Sequence, residues 1–191
     1  MEKRDSQDNE ELTPTFIKAR DAALRLLSYR ARSEAEVRRR LLRSYAPEIV
    51  ERVIGSLRQL RFLDDETFAQ QWRRNREQHR PRAQGIVRQE LLRLGVSSEV
   101  IQTALEDFDD EANAYQAGFK IAQRLMSKDH SEEEFRRSLW SHLQRRGFSY
   151  GQVKDTTERL WRELGADFLH RQEDTEDNKQ ETPKAEPEGG S

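Results

Sequence analysis

The pattern Val37-x3-Leu41-Leu42-Arg43 returns at a shift of 50 as Val87-x3-Leu91-Leu92-Arg93. A chain that repeats its own helical pattern at such a period folds as a row of like modules, not around one thick core. Other echoes keep step with the first. Ile49-Val50 and Val53-Ile54 return as Val100-Ile101 and Ala104-Leu105 at a shift of 51, and Leu94-Gly95-Val96-Ser97 returns as Arg146-Gly147-Phe148-Ser149 at 52. The junctions repeat as well: Phe62-Leu63-Asp64-Asp65-Glu66 has its counterpart in Asp107-Phe108-Asp109-Asp110-Glu111.

The repeating unit is helical. Thr13-Pro14 is a helix start, with Pro at the first helical position. Ser33-Glu34-Ala35-Glu36, Ser131-Glu132-Glu133-Glu134 and Ser149-Tyr150-Gly151-Gln152 each have the form of a capping box, in which hydroxyl and carboxylate (or amide) satisfy one another's backbone N–H groups. Pro47 opens another helix, Asp64 or Asp65 caps the one from about Asp65 to His79, and Ser97 or Ser98 caps the sixth. Gly95 and Gly147 stand where a helix ends. Apolar residues follow helical spacing throughout, as in Phe68 and Trp72 or Phe135, Leu139 and Leu143, and no run alternates as a strand would. Nine helices result, in three groups of three. The expected fold is all-α: three tandem three-helix-bundle repeats in an elongated, curved arrangement. The expected boundaries are a disordered acidic arm at 1–12, repeats at 13–63, 64–108 and 109–171, and a disordered acidic tail at 172–191.

Composition agrees with thin helical layers. Of the 191 residues 34% are hydrophobic and 37% charged, too polar for one large core but suited to helices that each bury a stripe. No apolar run approaches the ~18 residues of a membrane span. The first twelve residues do not read as a signal peptide, and cysteine is absent. Together these suit a soluble cytoplasmic protein. The net charge of -2 hides an asymmetry: Thr13–Arg171 holds 30 basic and 24 acidic residues, while both ends are acidic. A basic body of this kind implies a polyanionic or acidic partner.

The candidate surface is arginine-rich. Arg73, Arg74, Arg76, Arg80, Arg82 and Arg88 form the first set, Arg38, Arg39, Arg40 and Arg43 the second, and Arg136, Arg137, Arg145 and Arg146 the third-repeat equivalent. Guanidinium forks suit carboxylates and phosphates alike. Trp72, Trp140 and Trp161 could stack on bases but lie on apolar stripes, which favours core packing. Asp64 and Asp65 resemble a paired-carboxylate site, although helix capping explains them better. The histidines 79, 130, 142 and 170 lack metal-ligand spacing. With no phosphate loop, nucleophile elbow or triad, neither catalysis nor a cofactor or metal is expected.

With these residues in hand the chain, from Ile17 to Leu164, resembles the RecX family of bacterial recombinase regulators. The resemblance rests on Arg32-Ser33-Glu34-x-Glu36-Val37-x3-Leu41, on Phe62-Leu63-Asp64-Asp65-x2-Phe68, on Arg88-Gln89-Glu90-Leu91-x3-Gly95-Val96 and on the Arg145-Arg146-Gly147-Phe148 turn. It implies three three-helix repeats and a non-enzymatic protein, taken here as a monomer, that binds the RecA filament. It further implies that the protein modulates, mostly inhibits, RecA's ATPase and strand exchange in recombination, repair and the SOS response. Single- or double-stranded DNA would be a second partner. One departure stands out. Family members often carry Arg-x2-Lys/Arg-Gly-Tyr/Phe-Gly between the fourth and fifth helices, whereas this chain has Arg76-Glu77-Gln78-His79-Arg80-Pro81-Arg82. Two other functions compete: a DNA-binding protein of helix-turn-helix-like units, and a helical-repeat scaffold.

Overall fold

Six of the helices begin at a side chain that accepts one of the orphan N–H groups. In the computed structural model, which describes residues 13–127 and 131–180 (side chains to 165), Thr13 accepts from the Phe16 N–H and Pro14 occupies the first position of α1 (Pro14–Tyr29). Ser33 and Glu36 form a full capping box on α2 (Glu34–Leu41). Pro47 opens α3 (Pro47–Gln59). Asp64 caps α4 (Asp65–His79) through the Thr67 N–H. α5 (Gln84–Leu94) is followed by α6 (Ser98–Ala104), which Ser97 caps. α7 (Asp110–Met126) leads to α8 (Glu132–Gln144), which carries the Ser131–Glu134 box. The last helix, α9 (Tyr150–Gln180), starts from a third box, with Ser149 and Gln152 bonded reciprocally at 2.8 and 3.4 Å. All regular structure among the described residues is helical.

Helix ends follow the same logic. Gly95 and Gly147 both sit at φ 85°, and each closes a 6→1 and 5→2 bond pair. Val96 N–H donates to Leu91 O at 3.2 Å and Gly95 N–H to Leu92 O at 3.0 Å; Phe148 and Gly147 do the same onto Leu143 and Gln144. These are the left-handed helix stops expected of glycine. The end of α3 uses the same geometry without glycine: Arg61 takes φ 57°, with Phe62 N–H bonded to Leu57 O and Arg61 N–H to Arg58 O.

Three separate cores result, one per helix triplet. Phe16, Val37, Leu41, Val50, Ile54 and Leu57 fill the first. Phe68, Val87, Leu91, Val96 and Ile101 fill the second. Phe135, Leu139, Leu143, Val153 and Leu160 fill the third, which also takes in Ala83. The tryptophans serve these cores: Trp72, Trp140 and Trp161 are half-buried and packed against them, as their stripe positions suggest.

The chain divides into two compact units. The first holds the first two triplets; the second holds the third triplet together with Pro81–Ala83. The α4–α5 connection is therefore not a free loop, since Ala83 is buried and its N–H donates to Arg146 O at 3.1 Å. α9 runs on to Gln180, past the Arg171 at which the sequence reading closes the third repeat. The expected acidic arm at 1–12 and the tail beyond 180 lie outside the described residues.

In the first unit the two triplets meet through small residues and backbone. Ser33, fully buried, accepts the Glu36 N–H at 3.2 Å and donates its own hydroxyl proton to Leu94 O. Asp65 accepts from the Glu34 N–H at 2.9 Å. A Cβ on Gly95 would collide with that of Ala35, so α2 lies directly on the α5 C-terminus. Buried polar groups here have partners, as a close packing of helix ends requires.

Candidate arginine surface

The sequence selects fourteen arginines, and the structure sorts them by whether the chain already engages them. Several act as internal struts. Arg38 spans Glu34 and Glu51 at 2.6 and 2.7 Å. Arg73 binds Glu77 at 2.9 Å, donates to the carbonyls of Ala104 and Asp107 at 3.0 and 2.7 Å, and lies 5.6 Å from the Phe108 centroid. Arg76 pairs with Glu90 at 2.7 Å, where both side chains are only 16% and 14% exposed, and lies 4.7 Å from the Trp72 ring. Glu90 also takes the Trp72 indole N–H at 2.9 Å. Ion pairs so shielded resist solvent screening, unlike surface ones. Arg136 and Arg137 make helical pairs with Glu132 and Glu133 at 2.7 and 2.6 Å. The second of these, with both partners more than 70% exposed, restrains little.

Six others point outward. Arg39, Arg40 and Arg43 in the first triplet, and Arg74, Arg80 and Arg88 in the second, are exposed, and no ion pair or side-chain hydrogen bond among the described residues engages them. Arg88 lines a recess of about 500 Å³ with Gln84, Gln102 and Thr103, but Glu99 and Glu106 line it too. Those two carboxylates oppose an anion there.

In the second unit the linker brings Arg82 beside the α8 C-terminus. Burial lowers the pKa of Arg146, and the charges of Arg82 and Arg145 lower it further. His142 is depressed by burial and then by Arg146, with Arg145 and Arg124 adding to it, although its ring lies 3.1 Å from the Ala117 carbonyl. Arg145 donates to Ser141 Oγ. Thus Arg82, Arg145 and Arg146, chosen from separate stretches of sequence, share one cationic cluster. Linear reading offers no signal for that grouping beyond the proline that sets Arg82 off from α4.

Carboxylates answer the paired arginines. Burial alone would raise the Glu34 pKa, but Arg58 and Arg38 outweigh it and the net direction is down. Glu36 behaves likewise, with Arg30 and the Ser33 N–H overcoming burial. Such arrangements are structural. Among the described residues no His, Asp or Glu group is disposed to hold a metal, and no helix is long and apolar enough to cross a membrane.

Comparison with known proteins decides the family. The first three-helix domain of RecX matches residues 19–57 and the second matches residues 64–105. A "Regulatory protein RecX" of Chlorobium limicola is 34% identical over 73% of this chain and 87% of its own length. The chain belongs to the RecX family. A RecX of Mycolicibacterium smegmatis is 33% identical over 72% of this chain and 76% of its own length. The RecX crystal structure from Lactobacillus salivarius superposes with a TM-score of 0.65 at 21% identity, over 76% of this chain and 96% of that one, and so shares the fold. In RecX terms, the first matched domain ends at Leu57, just ahead of the Arg61 stop, and the second begins at the Asp64 cap. These curated relatives are named as regulatory proteins.

Proposed function

We propose that this RecX-family protein binds the RecA recombinase filament through its outward arginines and slows RecA's ATP hydrolysis and strand exchange without catalysing a reaction of its own. The observation that carries this reading is the set Arg39, Arg40, Arg43, Arg74, Arg80 and Arg88, exposed and engaged by no ion pair among the described residues. A repeat protein with one cationic patch per module suits a partner whose acidic sites also repeat. Charge of this kind speeds encounter and makes binding sensitive to salt. Inhibition then needs only a higher affinity for one filament state than for another.

The test is RecA-dependent ATP hydrolysis on single-stranded DNA with increasing amounts of the protein. A fall at substoichiometric protein supports the proposal. Tight duplex binding without an effect on hydrolysis supports a DNA-binding protein instead, and binding to neither leaves a scaffold for another partner.

A further inference from the structure

We infer that Leu42 with Arg43 in the first triplet, and Leu92 with Arg93 in the second, form two equivalent docking points for a protein segment in which an apolar side chain stands beside a carboxylate. This rests on the reading that a partner engages the arginine surface, and it makes that partner's contact a peptide segment, not a nucleic-acid strand. Leu42, Leu92 and Arg93 lie outside the fourteen arginines discussed above.

The repeat at a shift of 50 carries Leu41-Leu42-Arg43 onto Leu91-Leu92-Arg93. In each leucine pair the first member belongs to the core, and both Leu41 and Leu91 are buried. The second member faces outward: Leu42, at the end of α2, and Leu92, in the last turn of α5, are each 45% exposed. One exposed leucine is ordinary on a protein surface. Here the same leucine is exposed at the same register of two modules, with the same cation after it. Arg43 and Arg93 are exposed as well, and no ion pair or side-chain hydrogen bond engages either among the described residues. A cation near a helix C-terminus complements the end carbonyls, which accounts for the arginines but not for the leucines. Arg39 lies one turn before Leu42 and adds to the first point. Arg88, one turn before Leu92, lines the recess with Glu99 and Glu106, so Arg93 carries the charge of the second.

The third triplet differs. At the shift of 52 that takes Gly95 to Gly147, Leu92 falls on Gln144 and Arg93 on Arg145. The cation is kept and the apolar side chain is not, so the paired feature belongs to the first unit.

The chemistry selects the occupant. Guanidinium forks receive carboxylates and phosphates alike, but a half-exposed leucine gains only from apolar surface laid over it. A phosphodiester backbone answers the arginine and leaves the leucine wet. A peptide segment carrying leucine or a like side chain next to glutamate or aspartate answers both.

The full-length protein is titrated with two short blocked peptides, one of alternating glutamate and leucine and one of alternating glutamate and glycine, and separately with a single-stranded oligodeoxynucleotide. The wild-type protein is expected to bind the leucine peptide about fivefold or more tightly than the glycine peptide. Leu42→Ser with Leu92→Ser is expected to abolish that preference while leaving affinity for the glycine peptide and the oligonucleotide unchanged, and Leu42→Met with Leu92→Met is expected to keep it. Leu92→Gln, which copies the third triplet, carries the test alone if the serine pair does not fold. Equal wild-type affinity for the two peptides, or an undiminished preference in the serine and glutamine variants, overturns the inference. So does a loss of oligonucleotide binding as large as the loss of leucine-peptide binding. If the wild-type protein leaves RecA hydrolysis untouched, the proposed function fails while the peptides still decide the docking points. If inhibition holds but the two peptides bind alike, only the docking points fail.

Discussion

The Asp65 carboxylate, at the start of the second triplet, accepts a hydrogen bond of 2.9 Å from the backbone N–H of Glu34, 31 residues earlier. A residue placed to open its own helix thereby caps a helix of the preceding repeat. Burial raises the Asp65 pKa against the pull of that N–H, and the neighbouring Glu34 and Asp64 charges add to the rise. A folded-state pKa above the unfolded one means that the folded chain holds the proton more tightly. The group's contribution to stability is therefore greatest in acid and falls as pH rises through the ordinary aspartate range and past the raised value. Asp65→Asn keeps an acceptor but removes this ionisation. Its stability relative to wild type, read from urea unfolding, is expected to improve from acid to neutral pH. A difference independent of pH would count against the assignment. Asp65→Ala leaves the Glu34 N–H without a partner and is expected to cost about 1–2 kcal/mol at neutral pH.

Gly95 carries two constraints at once, a φ of 85° and contact with Ala35. Gly95→Ala is expected to cost about 1 kcal/mol for the backbone and about 1–3 more for the collision. Ala35→Gly in the same chain recovers the second part only, so a double-mutant cycle should show coupling. Gly55, inside α3 with nothing near its missing Cβ, behaves oppositely: Gly55→Ala is expected to stabilise by about 0.5–1 kcal/mol. Urea midpoints for the four variants check all of this.

How far the sequence could be read follows from which interactions are local. Capping residues, Gly95, Gly147 and the apolar stripes act within a turn or two of their own position, and the helices that follow Thr13, Ser33, Asp64 and Ser131 begin where those caps predict. The arginine surface was only partly legible. Whether Arg76 is free depends on Glu90, 14 residues on, and whether Arg73 is free depends on carbonyls more than 30 residues away. The Asp64–Asp65 doublet shows both cases in two residues: the sequence leaves either as the local cap of α4, the structure gives that role to Asp64, and the bond of Asp65 across repeats has no local signal.

Arg61 holds a left-handed conformation at φ 57° where the two equivalent helix stops have glycine. The strain is worth about 1 kcal/mol. Arg61→Gly is expected to raise stability by about that amount in thermal or urea unfolding. Arg61→Ala, which keeps the Cβ, is expected to bring no such gain. Equal effects from both would mean that side-chain contacts, not the backbone, set the change.

Charge reversal separates struts from surface. Arg39→Glu, Arg40→Glu and Arg43→Glu together alter three exposed side chains that no carboxylate engages among the described residues. Stability should stay nearly constant while inhibition of RecA hydrolysis weakens about tenfold or more, and the weakening should shrink as added salt screens the wild-type attraction. Arg76→Glu should do the reverse. It sets a second carboxylate against Glu90 and removes the cation from the Trp72 face, so a loss of about 2 kcal/mol or more in urea unfolding is expected before any question of binding arises. Arg73→Glu, by abandoning the Ala104 and Asp107 carbonyls, belongs with Arg76, and Arg74→Glu belongs with the exposed set. If the triple variant inhibits as well as wild type with its fold intact, the outward arginines of the first triplet serve solubility and the filament is engaged elsewhere.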